Sequence, residues 1–80
     1  MSTHLNLLRW KCRRGMREMD ILLSRYLDEY YAEAETAEKE AFAALLDWQD
    51  PELYALLLEA THSDPHIHAI VQKIHSQPSH

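Results

Sequence analysis

Glycine and cysteine are almost absent from this chain: among 80 residues there is one of each, Gly15 and Cys12. A single glycine cannot build the phosphate-cradling turn of a dinucleotide-binding fold, so no nucleotide pocket is expected. A single cysteine excludes an intramolecular disulfide and the paired thiolates of a structural zinc site. Long apolar runs are missing too. The longest, Ala41 to Leu46 and Leu53 to Leu58, fall far short of the ~20 residues that span a bilayer. Nothing before Leu5 has the character of a signal or transit peptide, which leads to the expectation of a soluble protein in a cytosolic or matrix-like location. No nucleophile is spaced to meet a base, and no carboxylates converge on one helical face, so an enzyme is not expected. Cations are the minority, 8 against 13 acids, for a net charge of −5.

Eighty residues leave room for one hydrophobic core, so residues 1–80 read as a single domain, with 76–80 as a frayed tail. Apolar residues recur at helical spacing throughout, and no alternating strand pattern competes. The expected fold class is all-α, a compact bundle of five short helices. The first runs from about His4 to Arg14, capped by Ser2 or Thr3, with Leu5, Leu8 and Cys12 on its inner face. The second follows Gly15 to about Tyr31 with Met19, Leu22, Leu23, Tyr26, Leu27 and Tyr30 inward. The third spans about Thr36 to Trp48. Its stripe is Ala37, Ala41, Ala44, Leu45 and Trp48, with Phe42 and Leu46 beside it. Asp50-Pro51 and Asp64-Pro65 each supply a cap and a first-turn proline for the last two helices. Leu53, Leu56, Leu57 and Ala60 line one of them, and Ile67, Ile70, Val71 and Ile74 the other.

Charge is concentrated around the glycine. Five of the eight cations, Arg9, Lys11, Arg13, Arg14 and Arg17, lie in nine residues that hold no acid. That segment is +5, so the remainder of the −5 chain carries −10. Cations before Gly15 suit the negative end of one helix, and Glu18 and Asp20 suit the positive start of the next. Gly15 itself is expected at positive φ, ending the first helix. Arg14 and Glu18 then meet across the turn, either as a surface clamp or as an exposed recognition corner that presents Arg14 outward. On the second reading, losing Arg14 weakens partner binding and leaves the melting temperature unchanged. Arg25 lies outside the basic segment and is expected to matter little. Trp10 is about 200° around the helix from both Leu8 and Cys12, so it either packs on the second helix or stands exposed beside the arginines.

Two other clusters have plainer readings. Five of the six histidines fall in the last nineteen residues, but no carboxylate or thiolate completes a metal site at helical spacing, so no metal is expected. The acidic run Glu29, Glu33, Glu35, Glu38 and Glu40 reads as a solvated face. The basic segment does not carry the Asn, Gln and Arg pattern of a recognition helix, and nucleic acid is not an expected partner.

The stretch Trp10-Lys11-Cys12-Arg13-Arg14-Gly15-Met16-Arg17-Glu18-Met19-Asp20 resembles the signature of the succinate dehydrogenase assembly factor family, also called FAD assembly factors. Its Arg-Gly-x-x-Glu core stands here as Arg14, Gly15 and Glu18. A second stretch, Leu45 to Tyr54, is similar to the family in its Asp-Pro-x-Leu helix start, although members often carry Trp where this chain has Leu56. The resemblance implies a small, bacterial, helical chaperone-like protein of the cytoplasm, and the five amphipathic segments lead to the expectation of a monomer. It would bind the flavoprotein subunit of succinate dehydrogenase or fumarate reductase and promote covalent attachment of FAD. It also implies that the FAD belongs to the client, with no cofactor bound stably by this chain. Trp10, Arg13, Arg14, Gly15, Met16, Arg17, Glu18 and Asp20 are the partner-binding candidates it carries over. An antitoxin-like or other regulatory interaction module is the alternative that the same resemblance leaves.

Overall fold

A computed structural model describes residues 3–59 and 61–75; the expected tail 76–80, the Ser2 cap and the inward Ala60 lie outside those residues. The described residues form five α-helices: α1 Thr3–Lys11, α2 Arg17–Glu29, α3 Thr36–Leu45, α4 Asp50–Glu59 and α5 Pro65–His75. A 3-10 turn, Tyr31–Glu33, links α2 to α3, and the described residues contain no strand. None of these helices is long and apolar enough to cross a membrane. The molecule measures 34 × 29 × 27 Å along its principal axes.

The core forms where α5 packs against both α2 and α3, with α1 laid on α2. Met19, Leu23 and Tyr26 of α2 meet Phe42 and Leu45 of α3, Leu53 of α4, and Ile70 and Val71 of α5, all fully buried. The period-3.6 stripes of α2, α4 and α5 predict these inward positions directly. Leu56 is buried as well, so the residue that departs from the family pattern is a packing residue.

Three helices end earlier than the pattern suggests. The first stops at Lys11 and the second at Glu29, where Tyr30 leaves helical geometry at φ −120° and its N–H closes the last turn on Tyr26. The 3-10 turn then drives Tyr31 into the core, its ring 5.8 Å from that of Phe42. The third helix stops at Leu45, and Trp48 lies in the following turn, half-buried, 6.1 Å from the ring of His62.

Two faces are rotated from expectation. On α3 the buried positions are Glu38, Phe42 and Leu45, while Ala37 and Ala44 are exposed. Burying one Phe ring removes far more apolar area from water than burying two alanine methyls, so the larger side chains set the rotation. On α1, Leu8 and Cys12 are buried but Leu5 is exposed. Leu5 overhangs a cleft of about 730 Å³ whose wall includes Leu27, Tyr31 and Ala43.

The inward turn of Glu38 makes a polar knot inside the bundle. Its carboxylate accepts from the hydroxyl of fully buried Tyr26 and from Lys73 Nζ at 2.9 Å. Burial alone would raise the Glu38 pKa, but the bonds from Tyr26 and Lys73 outweigh it and hold the carboxyl below its ordinary value. Desolvation, with the Glu38 hydrogen bond added, pushes the Tyr26 phenol well above its usual range. The other members of the acidic run, Glu29, Glu33, Glu35 and Glu40, are solvated as expected.

Candidate functional site

Gly15 is the one described glycine, and its φ is +81°, the left-handed conformation expected of it. It does not cap α1, however. That helix closes with the Cys12 N–H on Leu8 and Arg9 and the Arg13 N–H on the Trp10 carbonyl, before Gly15 is reached. Instead Gly15 bends the α1–α2 connection so that two successive backbone N–H groups converge on one side chain. Arg14 N–H donates to Asp20 Oδ1 at 2.7 Å and Gly15 N–H to Asp20 Oδ2 at 3.2 Å. A carboxylate in the first turn of α2 thus closes the loop, helped by the positive helix end. Met16 precedes α2 in extended geometry, packs partly against the core, and accepts the Asp20 N–H at 2.8 Å.

Arg14 does not pair with Glu18, and it does not point outward. Its side chain is 11 % exposed and reaches across to the α3–α4 connection. There Nε meets Asp50 Oδ1 at 2.8 Å and Nη1 donates to the Leu46 carbonyl at 2.5 Å, while Nη2 donates to the Trp48 carbonyl. Nη1 also approaches the Lys11 carbonyl at 3.3 Å. These carbonyls follow the end of α3, where acceptors lack intrahelical donors, and a planar guanidinium supplies several donors at once. The two family-like stretches, Trp10 to Asp20 and Leu45 to Tyr54, are therefore bonded to each other through Arg14. Asp50 serves this contact and does not cap its own helix. The first turn of α4 closes with the Leu53 N–H on the Gln49 carbonyl. Asp64, by contrast, is the expected cap, accepting from the N–H groups of His66 (2.8 Å) and Ile67 (3.3 Å). Those two bonds lower its pKa.

The basic segment divides into paired and unpaired cations. Arg9 meets Asp28 of α2 at 2.6 Å, Lys11 meets Asp47 at 2.9 Å, and Arg14 meets Asp50. The first two are solvated pairs worth under ~1 kcal/mol each. Arg13, Arg17 and Glu18 are exposed, and their side chains make no ion pair or hydrogen bond among the described residues. Trp10 is 71 % exposed, which decides between its two expected settings in favour of solvent. Beside Gly15 runs an open groove of about 650 Å³, walled by Arg13, Asp20, Ile21, Ser24, Arg25 and Glu29. Ile21 and Arg25 were not expected there. They sit one turn apart on α2, and an exposed Ile at i−4 from an arginine is the sequence signal that marks that face. Arg25 is therefore no control for the basic segment.

Several other reactive groups among the described residues are occupied. Burial pushes the Cys12 thiol up to about 11, which leaves it protonated and unreactive near neutrality. His68 Nδ1 lies 3.4 Å from the His62 N–H, His62 Nδ1 accepts the Asp64 N–H at 2.9 Å, and His75 contacts the Leu57 carbonyl. These histidines tie down the α4–α5 connection and the end of α4. Among the described residues no three His, Cys, Asp or Glu side chains are grouped to hold a metal ion.

Against known proteins, a family model described as "Flavinator of succinate dehydrogenase" matches residues 6–78. A protein named FAD assembly factor SdhE from Coxiella burnetii is 47 % identical over 68 residues, covering 84 % of this chain and 83 % of the relative. Proteins of the same name from Aliivibrio fischeri and Methylococcus capsulatus are 40 % and 43 % identical, covering 84 % of this chain and 79 % and 82 % of themselves. No solved structure is a significant match.

Proposed function

The chain belongs to the family of succinate dehydrogenase flavinators, and from that membership we infer that it is an assembly factor for covalent FAD attachment to the flavoprotein subunit of succinate dehydrogenase. It is not an enzyme. Fumarate reductase is proposed as a second client, and the working form as a cytoplasmic monomer. The observation that carries the site is Gly15. It is exposed at positive φ with no atom beyond its adjoining residues within 4 Å of where a Cβ would stand, and the unpaired Arg13, Arg17 and Glu18 lie within three residues of it along the chain. This corner lets a partner's backbone approach closely while charged side chains fix register.

The flavin is the client's. The groove beside Gly15 is a poor fit for the flavin dinucleotide, because Asp20, Asp28 and Glu29 would oppose its diphosphate and no glycine-rich turn faces a helix start. The chain thus supplies no reacting atom. It acts by binding the attachment-competent conformation of the client more tightly than other conformations, which raises the population of that conformation. The purified chain should accordingly elute as a monomer and show no absorbance near ~450 nm, where flavins absorb; a yellow protein would contradict the reading.

Gly15 also provides the sharpest test. Replacing it with Ala or Arg should cost about 1 kcal/mol through the positive φ alone, and an added Cβ meets no atom within 4 Å apart from the adjoining residues. Both variants should fold. In cells lacking the native factor, Gly15→Ala should retain most covalent flavin fluorescence of the client subunit and Gly15→Arg should lose it. Full flavinylation with folded Gly15→Arg would remove the corner from the interface.

A further inference from the structure

Helix α4 is apolar on two opposite sides. Leu53, Leu56 and Leu57 are buried in the core. Pro51, Tyr54, Ala55 and Leu58 are exposed, and their i, i+3, i+4, i+7 spacing sets them together on the outer face. Leu58 is 65 % exposed and Tyr54 39 %, so the two largest side chains of this stripe stand in water. A helix with apolar residues on opposite faces ordinarily packs between two layers. Here the core supplies one. The charges that α4 itself carries are all of one sign, and no lysine or arginine occurs in the chain between Lys39 and Lys73. Glu52 and Glu59 are exposed along one flank of the stripe, and neither makes an ion pair or hydrogen bond among the described residues. Asp50, on the other flank, is held by Arg14.

We propose that the Pro51–Tyr54–Ala55–Leu58 stripe docks a basic amphipathic helix of a protein partner, laid along α4 with its lysines or arginines beside Glu52 and Glu59. The proposal goes beyond the assembly-factor reading and does not depend on it. A straight apolar row at helical spacing is the surface against which a second helix packs its own ridge. The charges select which helix. A two-fold contact between the α4 stripes of two copies would bring Glu52 and Glu59 of each into one small interface with no cation on either helix. Anionic lipid and nucleic-acid phosphate would meet the same carboxylates and be repelled. A helix with cations flanking its apolar face matches both the stripe and the two unpaired acids. Four side chains over two turns make a small contact, so the complex is weak and reversible.

The experiment titrates the full chain with a synthetic amphipathic helix of leucine and lysine, about four turns long, and with its leucine–glutamate counterpart. Binding is read by calorimetry and by amide shifts in NMR. The leucine–lysine peptide should bind with a Kd of about 10 µM at low salt, weaken severalfold near ~0.5 M salt, and shift the amides of α4. The leucine–glutamate peptide should not bind. Leu58→Ser and Tyr54→Ser should each weaken the leucine–lysine peptide about tenfold or more, and Glu52→Lys with Glu59→Lys should do the same at low salt only. Leu7→Ser, which removes an exposed leucine from α1 instead, should leave the affinity unchanged. All these side chains are exposed, so melting temperatures should stay within a few degrees of wild type. Absence of peptide binding, or binding to Leu58→Ser within twofold of wild type, would overturn the proposal. So would equal affinity for the leucine–glutamate peptide. Concentration-dependent self-association in light scattering that Leu58→Ser abolishes would assign the stripe to a second copy, and phosphatidylglycerol vesicle binding lost in the same variant would assign it to lipid; either result overturns the helix. Gly15→Arg should bind the peptide as wild type does, so its effect on flavinylation tests the assembly-factor reading separately.

Discussion

Arg14→Ala should lower stability by about 3 kcal/mol, a shift in melting temperature of at least ~10 °C for a domain of this size. The expectation from sequence alone is the opposite, an unchanged melt with weakened binding. The difference lies in where the guanidinium goes. It is nearly enclosed and satisfies the Leu46 and Trp48 carbonyls while pairing with Asp50. Truncation leaves those carbonyls without donors in the turn that joins α3 to α4. Asp50 is half-exposed and can recover water, which keeps the cost below that of stranding a fully buried charge. Arg14→Lys should recover only part of the loss, because one ammonium cannot span three acceptors in a plane. Thermal melts and urea unfolding check this directly. A melt within 2 or ~3 °C of wild type would mean the clamp is not needed. With the melt lowered as expected, loss of flavinylation in Arg14→Ala cells needs a stability control before it counts as evidence about the client surface. Arg13 and Arg17 are the positions where function can be tested without that ambiguity.

Glu38→Ala should cost about 2–4 kcal/mol. It strands the buried Tyr26 hydroxyl, removes the acceptor of Lys73 and opens space beside Phe42, whose ring centroid is 4.5 Å from that of Tyr26. Glu38→Gln keeps an acceptor for the hydroxyl and should cost about 1 kcal/mol. The two variants also separate by pH. Because the folded pKa of Glu38 is depressed, its contribution is full above the ordinary glutamate value of 4.5 and is lost as pH falls through the folded value. Wild type should therefore lose stability on acidification below about 4.5 more steeply than Glu38→Gln does. Tyr26 works at the other end of the scale. Its folded pKa is raised, so its contribution is intact below the ordinary value of 10.0 and declines as pH rises beyond it. Parallel acid slopes for wild type and Glu38→Gln would show that the carboxylate is not bonded as described.

Much of this could be read from the chain directly. The inner faces of α2, α4 and α5, the Asp64 cap and the positive φ at Gly15 rest on apolar period, a side chain next to its own helix start, and a lone residue without Cβ. Each is a local rule, satisfied by residues within one or two turns of each other. The family signature was legible for a related reason, since its residues are contiguous from Trp10 to Asp20. Pattern reading failed where a local rule had two solutions. An alanine-rich helix such as α3 offers two adjacent stripes, and only the neighbours it packs on choose between them.

Local patterns along the chain are enough to set which segments become helices, where the backbone must turn at Gly15, and which family signature it carries. The directions of Arg14, Glu38 and Arg9 came instead from packing between distant segments. Arg14 finds its acceptors 32 to 36 residues away, Glu38 meets Lys73 35 residues away, and Arg9 meets Asp28 19 residues away. An arginine looks the same in a sequence whether its guanidinium is hydrated or bonded to the carbonyls beyond a distant helix. The free energy that separates those states comes from desolvation and from hydrogen-bond geometry at about 3 Å, and neither exists until the helices have packed.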